Sequence, residues 1–301
     1  GDWSSDVCSS DLDIAVRRTP LDLTALLLLL AVAATAGCSS GTSATKGTEA
    51  DKPAAEAEAE EPAETGPSAD ELFSRGNEHL DAERWEEAIS SYQKALDRDS
   101  GRWDVLLNLA IAQSSAGHFE EAVDRIADCL NGGGEGRPEV YYNLGNIYQR
   151  RGLYQQAIKA YRTSLAHADE PDVDTLVNIG AALTILDRRR QAEATYKKAQ
   201  KLAPRDPRIQ HGFALLLYHG GKFDESLDAF EQLHRMAPDY ARAWYDESNV
   251  HIKREDFKSA IEALEKYLAI APEGTYADKA RELIKVYRKE LNNPTPRDGV
   301  Q

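Results

Sequence analysis

Cysteine is scarce in this chain, with three among 301 residues. Cys8, Cys38 and Cys129 are widely separated, so they do not form the closely spaced framework of small disulfide-stapled domains. Cys129 stands where sister segments have Ala95 and Ala199, which indicates a small buried side chain. A chain of this length buries enough apolar surface to fold without bridges, and we expect no disulfide in the mature protein.

The chain also has fewer basic than acidic residues. Lysine and arginine number 36 against 51 aspartates and glutamates, which gives a formal net charge of −15. Proteins that bind nucleic acid present a basic surface to the phosphates. The charge balance therefore predicts that this chain has no nucleic-acid partner.

The motifs of common enzymes and metal sites are missing as well. The seven histidines include no H-E-x-x-H pair. Residues 91–94 match S-x-x-K without the companion motifs of that enzyme class, and the Gly-Gly-Lys at 220–222 follows no strand, so it is not a phosphate loop. His211 and His219 leave a metal site open only if a third ligand joins them. We therefore predict no enzyme activity, catalytic residue, cofactor, metal or small-molecule substrate.

A small residue recurs every 34 or 35 positions through most of the chain, which is the dominant pattern present. A fixed period of this length indicates an array of similar structural units. Such an array binds along a surface and does not enclose a single catalytic cleft. The recurring residues are Ala88, Ala122, Ala157, Ala192, Ser226 and Ala260.

Other positions keep the same frame. A small residue lies twelve positions before each recurring residue, an aromatic lies three before it in five of the six segments, and a large apolar residue lies four after it. Pro204, Pro238 and Pro272 follow the last three segments and are expected to end a helix. The pattern predicts two helices per unit, in which the small residue of the first helix lets the recurring residue of the second approach closely.

This pattern resembles the tetratricopeptide repeat family, with the best match at residues 141–161, which begin YYNLGNIY. The resemblance implies an all-α, right-handed α-solenoid of six helix-turn-helix units. The glycine run at residues 131–136 is interpreted as a loose joint between the second and third units. The predicted units are residues 69–102, 103–137, 138–172, 173–206, 207–240 and 241–274.

One more helix is predicted at residues 275–291. Ala280, Leu283, Ile284 and Tyr287 recur at helical spacing and form one apolar stripe. A helix with one apolar face is expected to cap the exposed core at the end of the array. The polar residues 292–301 are predicted to be a disordered tail.

The beginning of the chain has the features of a secretion signal. Residues 1–12 are interpreted as a non-native addition and residues 13–37 as a signal peptide, because Arg17 and Arg18 precede an uncharged stretch too short to span a membrane. Residues 35–38 (TAGC) resemble the lipobox of bacterial lipoproteins, which implies that Cys38 is lipidated. Ser39 then favours the outer membrane, facing the periplasm. An ordinary cleaved signal and an uncleaved anchor remain alternatives.

Residues 38–68 are predicted to be the lipidated cysteine followed by an acidic, disordered tether. Residues 39–68 contain seven acidic residues, two lysines and no aromatic residue. Such a composition buries too little apolar surface to fold. Its expected reach is on the order of 30 Å.

The family resemblance also implies where a partner binds. The first helix of each unit lines the inner, concave face with its second, fifth, ninth, twelfth and thirteenth residues. These residues change from acidic in the first units to basic in the last, which predicts a partner segment with polarised charge. No fifth residue is a lysine, so the clamp that some relatives use for C-terminal carboxylates is not expected. The candidate groove residues are Phe73, Asn77, Leu107, Ile111, Tyr142, Asn146, Val177, Arg208, His211, Leu215, Tyr218, Arg242, Tyr245 and Asn249.

Together these features predict a non-catalytic scaffold that is anchored to the membrane by lipid and binds protein segments in the bacterial cell envelope. Two sharper alternatives stay open. One is a pilotin-like lipoprotein that assists assembly of type IV pilus secretins, because a lipid anchor with six such repeats resembles that class. The other is an adaptor for peptidoglycan enzymes.

Overall fold

The computed structural model describes residues 66–292. This part contains thirteen α-helices and no β-strand, so the predicted all-α fold is confirmed. The predictions for residues 1–12, the signal peptide, Cys38, most of the tether and the tail after Asn292 lie outside the described residues.

The helices follow one another in pairs, and each of the six segments predicted as a unit contains one pair. The helices of a pair pack against each other, and each pair also packs against the next. The bounds are α1 Ala69–Asp81, α2 Trp85–Arg98, α3 Trp103–Ala116, α4 Phe119–Cys129, α5 Pro138–Arg150, α6 Tyr154–His167, α7 Val173–Ile185, α8 Arg189–Leu202, α9 Pro207–His219, α10 Phe223–Met236, α11 Ala241–Lys253, α12 Phe257–Ile270 and α13 Ala277–Asn292.

The turn inside each pair has the same backbone conformation. One residue of each turn has positive φ, so the chain reverses within a few residues. This left-handed conformation is favourable for glycine and costs an L-residue some strain. Three turns have glycine at this place and three have an acidic residue. The six residues are Glu83, Gly117, Gly152, Asp187, Gly221 and Glu255.

The close contact between paired helices is made by an aromatic ring against a glycine. A Cβ atom on Gly145 would lie 2.4 Å from the ring of Tyr161, and one on Gly180 would lie 2.5 Å from the ring of Tyr196. This refines the sequence interpretation, because the ring four residues after the recurring alanine, and not the alanine itself, fills the space above the glycine. The recurring position is still tightly packed, since Ser226 Oγ donates a hydrogen bond of 2.9 Å to the carbonyl of Ala214.

The glycine run between the second and third units, interpreted from the sequence as a loose joint, forms a kinked turn. Leu130–Gly134 follows α4 with π-type hydrogen bonding, Gly132 and Gly133 depart from helical φ and ψ, and Gly133 and Gly136 have positive φ. Cys129 is fully buried at the start of this turn, as predicted, and its Sγ lies 3.2 Å from the carbonyl of Trp103. Burial raises the pKa of the Cys129 thiol to about 11, so the side chain is a neutral packing group.

The last helix covers the end of the array. Ala280 and Ile284 of α13 are buried against α12, and Leu283 and Tyr287 pack beside them, so the predicted apolar stripe faces the core. The helix starts at Ala277, two residues later than predicted, and includes Asn292, which had been assigned to the tail. Across residues 66–292, every helix is too short or too polar to cross a bilayer.

Candidate protein-binding groove

The first helices of the six units form one row. Helix α3 contacts α1 and α5, and helix α9 contacts α7 and α11. All fourteen candidate groove residues lie on these first helices. Arg208 is exposed, twelve others are half-buried, and Leu107 is buried.

Leu107 differs from the other candidates because only 7% of its surface is exposed. It packs in the core cluster that contains Ala110, Ala122 and Ile126. Its side chain therefore supports the second unit and offers little surface to a partner.

An amide pair joins the first two units at the floor of the groove. Asn77 Oδ1 accepts hydrogen bonds from Tyr92 Oη at 2.7 Å and from Asn108 Nδ2 at 2.9 Å. Two donors on one oxygen fix the plane of the Asn77 amide. Its Nδ2 donates to no other described residue.

The same arrangement joins the third and fourth units. Asn146 Oδ1 accepts from Tyr161 Oη at 2.8 Å and from Asn178 Nδ2 at 3.4 Å. Asn178 Nδ2 also lies 3.3 Å from Tyr142 Oη, and Tyr161 Oη lies 3.1 Å from Gln149 Oε1. Burial raises the pKa of Tyr161, so its hydroxyl stays protonated and donates.

The partners of these amides are not among the residues predicted from the sequence. Asn108 and Asn178 occupy the sixth place of their units, which was not among the five inward places considered. A recurrence was visible, because the sixth places of the second, third, fourth and sixth units are Asn108, Asn143, Asn178 and Asp246. In the third unit Asn143 instead donates to the Glu139 carbonyl of its own helix.

Most charges of the groove are paired with one another. Arg102 contacts Asp70 and lies 2.7 Å from Asp104, and its hydrogen bond lowers the pKa of Asp104 below the ordinary value. Arg208 lies 2.6 Å from both Asp174 and Asp206. The predicted acidic-to-basic gradient is thus largely compensated within the protein, and a partner would meet mainly amides and aromatic rings.

A buried carboxylate organises the groove in the last two units. Asp246 Oδ2 lies 2.9 Å from His211 Nε2 and 2.6 Å from Arg242 Nε. Burial alone would raise the pKa of Asp246, but the hydrogen bond from His211 and the charge of Arg242 outweigh it and hold the pKa below its usual range. His211 therefore serves this pair rather than a metal site with His219. No group of three or more metal-ligating side chains occurs in residues 66–292.

The capping helix partly closes the far end of the groove. The ring of Tyr276, just before α13, stacks on Tyr245 with centroids 4.5 Å apart, and its hydroxyl contacts Arg242. Asn249 Nδ2 turns back to the Tyr245 carbonyl at 3.4 Å. Three candidates, Arg242, Tyr245 and Asn249, are thus engaged by the protein itself. The other eleven candidates lie in the first five units.

Several other candidates form the apolar walls of the groove. Tyr142 and Val177 pack on the central core cluster, and Phe73 packs on the cluster of the first unit. Leu215 and Tyr218 lie over the core of the fifth unit, where Tyr218 is 6.0 Å from the Phe223 ring.

Family models support the repeat architecture. Three models, each described as a tetratricopeptide repeat, match residues 79–131, residues 136–205 and, in two overlapping stretches, residues 186–233 and 211–275. Together these matches span well over half of the chain.

Similar proteins share this architecture. The protein named STIP1 homolog, from Dictyostelium discoideum, is 27% identical over 169 residues, which are 54% of this chain and 28% of that protein. This chain therefore spans less than a third of that relative. A Parabacteroides merdae tetratricopeptide repeat protein has a TM-score of 0.58 at 19% identity, covering 77% of this chain and 95% of that one. Pseudomonas aeruginosa PilF has a TM-score of 0.53 at 17% identity, covering 71% and 96%. At these identities the structural likeness shows the fold alone.

Proposed function

The chain belongs to the tetratricopeptide repeat family and is a protein-binding scaffold, and on this premise we propose that it is a non-catalytic, lipid-anchored adaptor that captures segments of partner proteins in the bacterial cell envelope. The observation that carries the binding part is the repeated amide arrangement in the groove. The anchor rests on the sequence around Cys38.

The two amide pairs suit the backbone of an extended or helical segment. Asn77 and Asn146 have their oxygens fixed internally, which fixes the plane of each amide and leaves its nitrogen available to a partner in this proposal. A preorganised donor costs less ordering entropy on binding than a mobile one. Tyr142 and Val177 supply apolar contact beside Asn146. Because the neighbouring charges are already paired, recognition depends on shape and backbone hydrogen bonds more than on net charge.

We expect the double variant Asn77→Ala with Asn146→Ala to capture partners about thirtyfold less well, because each lost hydrogen bond contributes roughly 1 kcal/mol. Crosslinking in cells, followed by mass spectrometry, measures the yield of each captured protein. Gln93→Ala with Gln155→Ala is the matched control, since it removes two exposed amides from the second helices α2 and α6. Unchanged capture by a folded groove variant would exclude the groove as the binding surface.

The anchor is tested at Cys38. We expect labelled palmitate to enter the chain in bacterial cells and Cys38→Ser to abolish the labelling, because the thiol is the acceptor of the lipid. The variant should leave the membrane fraction, while the unchanged chain should move with the outer membrane in a density gradient. Labelling that persists in Cys38→Ser would show that Cys38 is not the residue that accepts the lipid.

Two pathways remain as specific versions of this function. For a pilotin-like lipoprotein, deletion should leave a type IV pilus secretin monomeric or mislocalised. For a peptidoglycan adaptor, the captured proteins should include a hydrolase or synthase, and deletion should alter cell shape. The likeness to PilF contributes a shared fold and does not decide between them.

A further inference from the structure

A group of exposed cations lies on the outer side of the third and fourth units. We call it the basic outer patch. It spans helix α6, the turn before α8, helix α8 and the residues just after it. Its members are Lys159, Arg162, Arg188, Arg190, Lys198, Lys201 and Arg205, and all are exposed.

Helical geometry directs these side chains away from the groove. Arg190 and Lys201 are eleven residues apart, or three turns, so they share one side of α8. The buried Ala192 and Tyr196 occupy the opposite side. Helices α6 and α8 both pack against α7, so both cationic surfaces belong to the second helices and not to the first helices that form the groove.

The patch is not neutralised by the protein. None of its seven residues forms an ion pair with another described residue, whereas cations next to them do. Arg151 pairs with Glu120, Arg189 with Asp187, and Lys197 with Glu193. The patch therefore carries positive charge that no neighbouring carboxylate compensates through an ion pair in the described residues.

The surplus is local and is hidden by the acidic total of the chain. Helix α6 contains no acidic residue, and α8 contains only Glu193. The outer helices on either side are acidic, because α4 and α10 each carry four acidic residues and one arginine. A net charge of −15 thus coexists with one cationic face.

We propose that the basic outer patch binds the anionic lipid headgroups of a bilayer surface. The proposal rests on the lipid anchor of the proposed function, which would hold the repeats close to a membrane and so raise the effective concentration of headgroups. The cations are spread over two helices, the turn before α8 and the residues just after it. Such an arrangement fits a surface of many mobile anions better than one discrete ligand.

This contact would also orient the groove. The patch is on the outer side of α6 and α8, while the groove is formed by the first helices, including α5 and α7. A bilayer against the patch leaves Asn146 and the amide pair facing away from the lipid. The scaffold could then hold a partner segment without releasing the membrane.

Vesicle binding by the full chain carrying Cys38→Ser tests the proposal without the lipid anchor. Vesicles of phosphatidylcholine are compared with vesicles containing equal amounts of phosphatidylcholine and phosphatidylglycerol. The readout is the ratio of the two affinities, because the apolar residues 23–37 contribute to both. We expect clear preference for the anionic vesicles, weakening as salt is raised. Arg190→Glu with Lys198→Glu and Lys201→Glu should reduce the anionic binding about a hundredfold.

The matched control is Lys258→Glu with Lys266→Glu and Lys285→Glu, which changes the net charge equally on α12 and α13 and should leave the ratio unchanged. Arg190→Gln with Lys198→Gln and Lys201→Gln removes the positive charges without adding negative ones, so it distinguishes lost attraction to the headgroups from repulsion by the new glutamates. Circular dichroism verifies that each variant folds. An equal loss of affinity in the control, or an unchanged affinity of the patch variants, would show that the basic outer patch does not bind the lipid headgroups. Tighter binding to a single-stranded oligonucleotide than to anionic vesicles at equal charge would refute the lipid assignment.

The outcomes also separate the patch from the anchor. If Cys38 takes up no palmitate but vesicle binding depends on the patch, the lipid anchor is refuted and headgroup binding by the patch is supported. If Cys38 is acylated and the patch variant binds vesicles like the unchanged chain, the lipid anchor is supported and headgroup binding by the patch is refuted. Partner capture by the groove is measured independently of both.

Discussion

Replacing Tyr161 with alanine is expected to lower the free energy of unfolding by about 3–5 kcal/mol. The side chain is fully buried in the central core cluster, against Gly145 and next to Ile158 and Leu176. Its removal leaves a cavity between α5 and α6, because the glycine has no side chain that could fill the space. Urea unfolding followed by circular dichroism at 222 nm measures the change.

Tyr161→Phe is the matched control for this prediction. It keeps the ring and removes only the hydroxyl, which donates to Asn146 Oδ1 and lies near Gln149 Oε1. We expect it to cost about 1 kcal/mol, since those acceptors are only half-buried and water can replace the donor. If alanine costs no more than phenylalanine, the ring does not carry the packing between the helices.

The repeat frame was predictable because it depends on spacing within one unit. Gly145 and Tyr161 are sixteen residues apart, and the same pairing recurs at Gly180 and Tyr196. A glycine on one helix and a large ring on the next favour one close helix pair wherever they occur. The pattern therefore predicted the helix pairs and the apolar stripe of the last helix, although the start of that helix was placed two residues early.

The groove chemistry was less predictable because it depends on contacts between units. Asn77 and Asn146 were found from their place in the repeat, but their partners Asn108 and Asn178 lie in the following unit. Which side of a helix faces a neighbouring unit depends on the angle between units, and this angle is not contained in the period. The sixth place of the repeat was missed for that reason.

The predicted charge gradient differs from the structure for a related reason. The gradient rests on the inward residues alone, whereas Arg102, Asp206 and Asp246 enter the groove from other places and largely compensate it. Conversely, a total of −15 concealed the basic outer patch. Net charge reports the sum over a surface, whereas binding depends on the residues that remain unpaired at one place.

Asp246→Ala is expected to cost about 3–5 kcal/mol of unfolding free energy at neutral pH, because it leaves the half-buried His211 and Arg242 without their shared buried acceptor. Asp228→Ala is the matched control. It removes an exposed carboxylate of α10 that forms no ion pair in the described part of the chain, and should change stability by less than about 0.5 kcal/mol.

The same carboxylate makes the stability of the fold depend on acid. The folded pKa of Asp246 lies below its unfolded value of about 3.9, so its contribution to stability is complete above that pH and is lost as pH falls through the folded pKa. Urea unfolding at neutral pH and at successively lower values should therefore show a decline that is shallower in Asp246→Ala than in the unchanged chain. Glu247 contributes in the same direction, since its pKa is also lowered, and remains in the variant. Parallel declines in the two proteins would mean that Asp246 gains nothing from His211 and Arg242, and the charge pairing at this end of the groove would then not stabilise the fold.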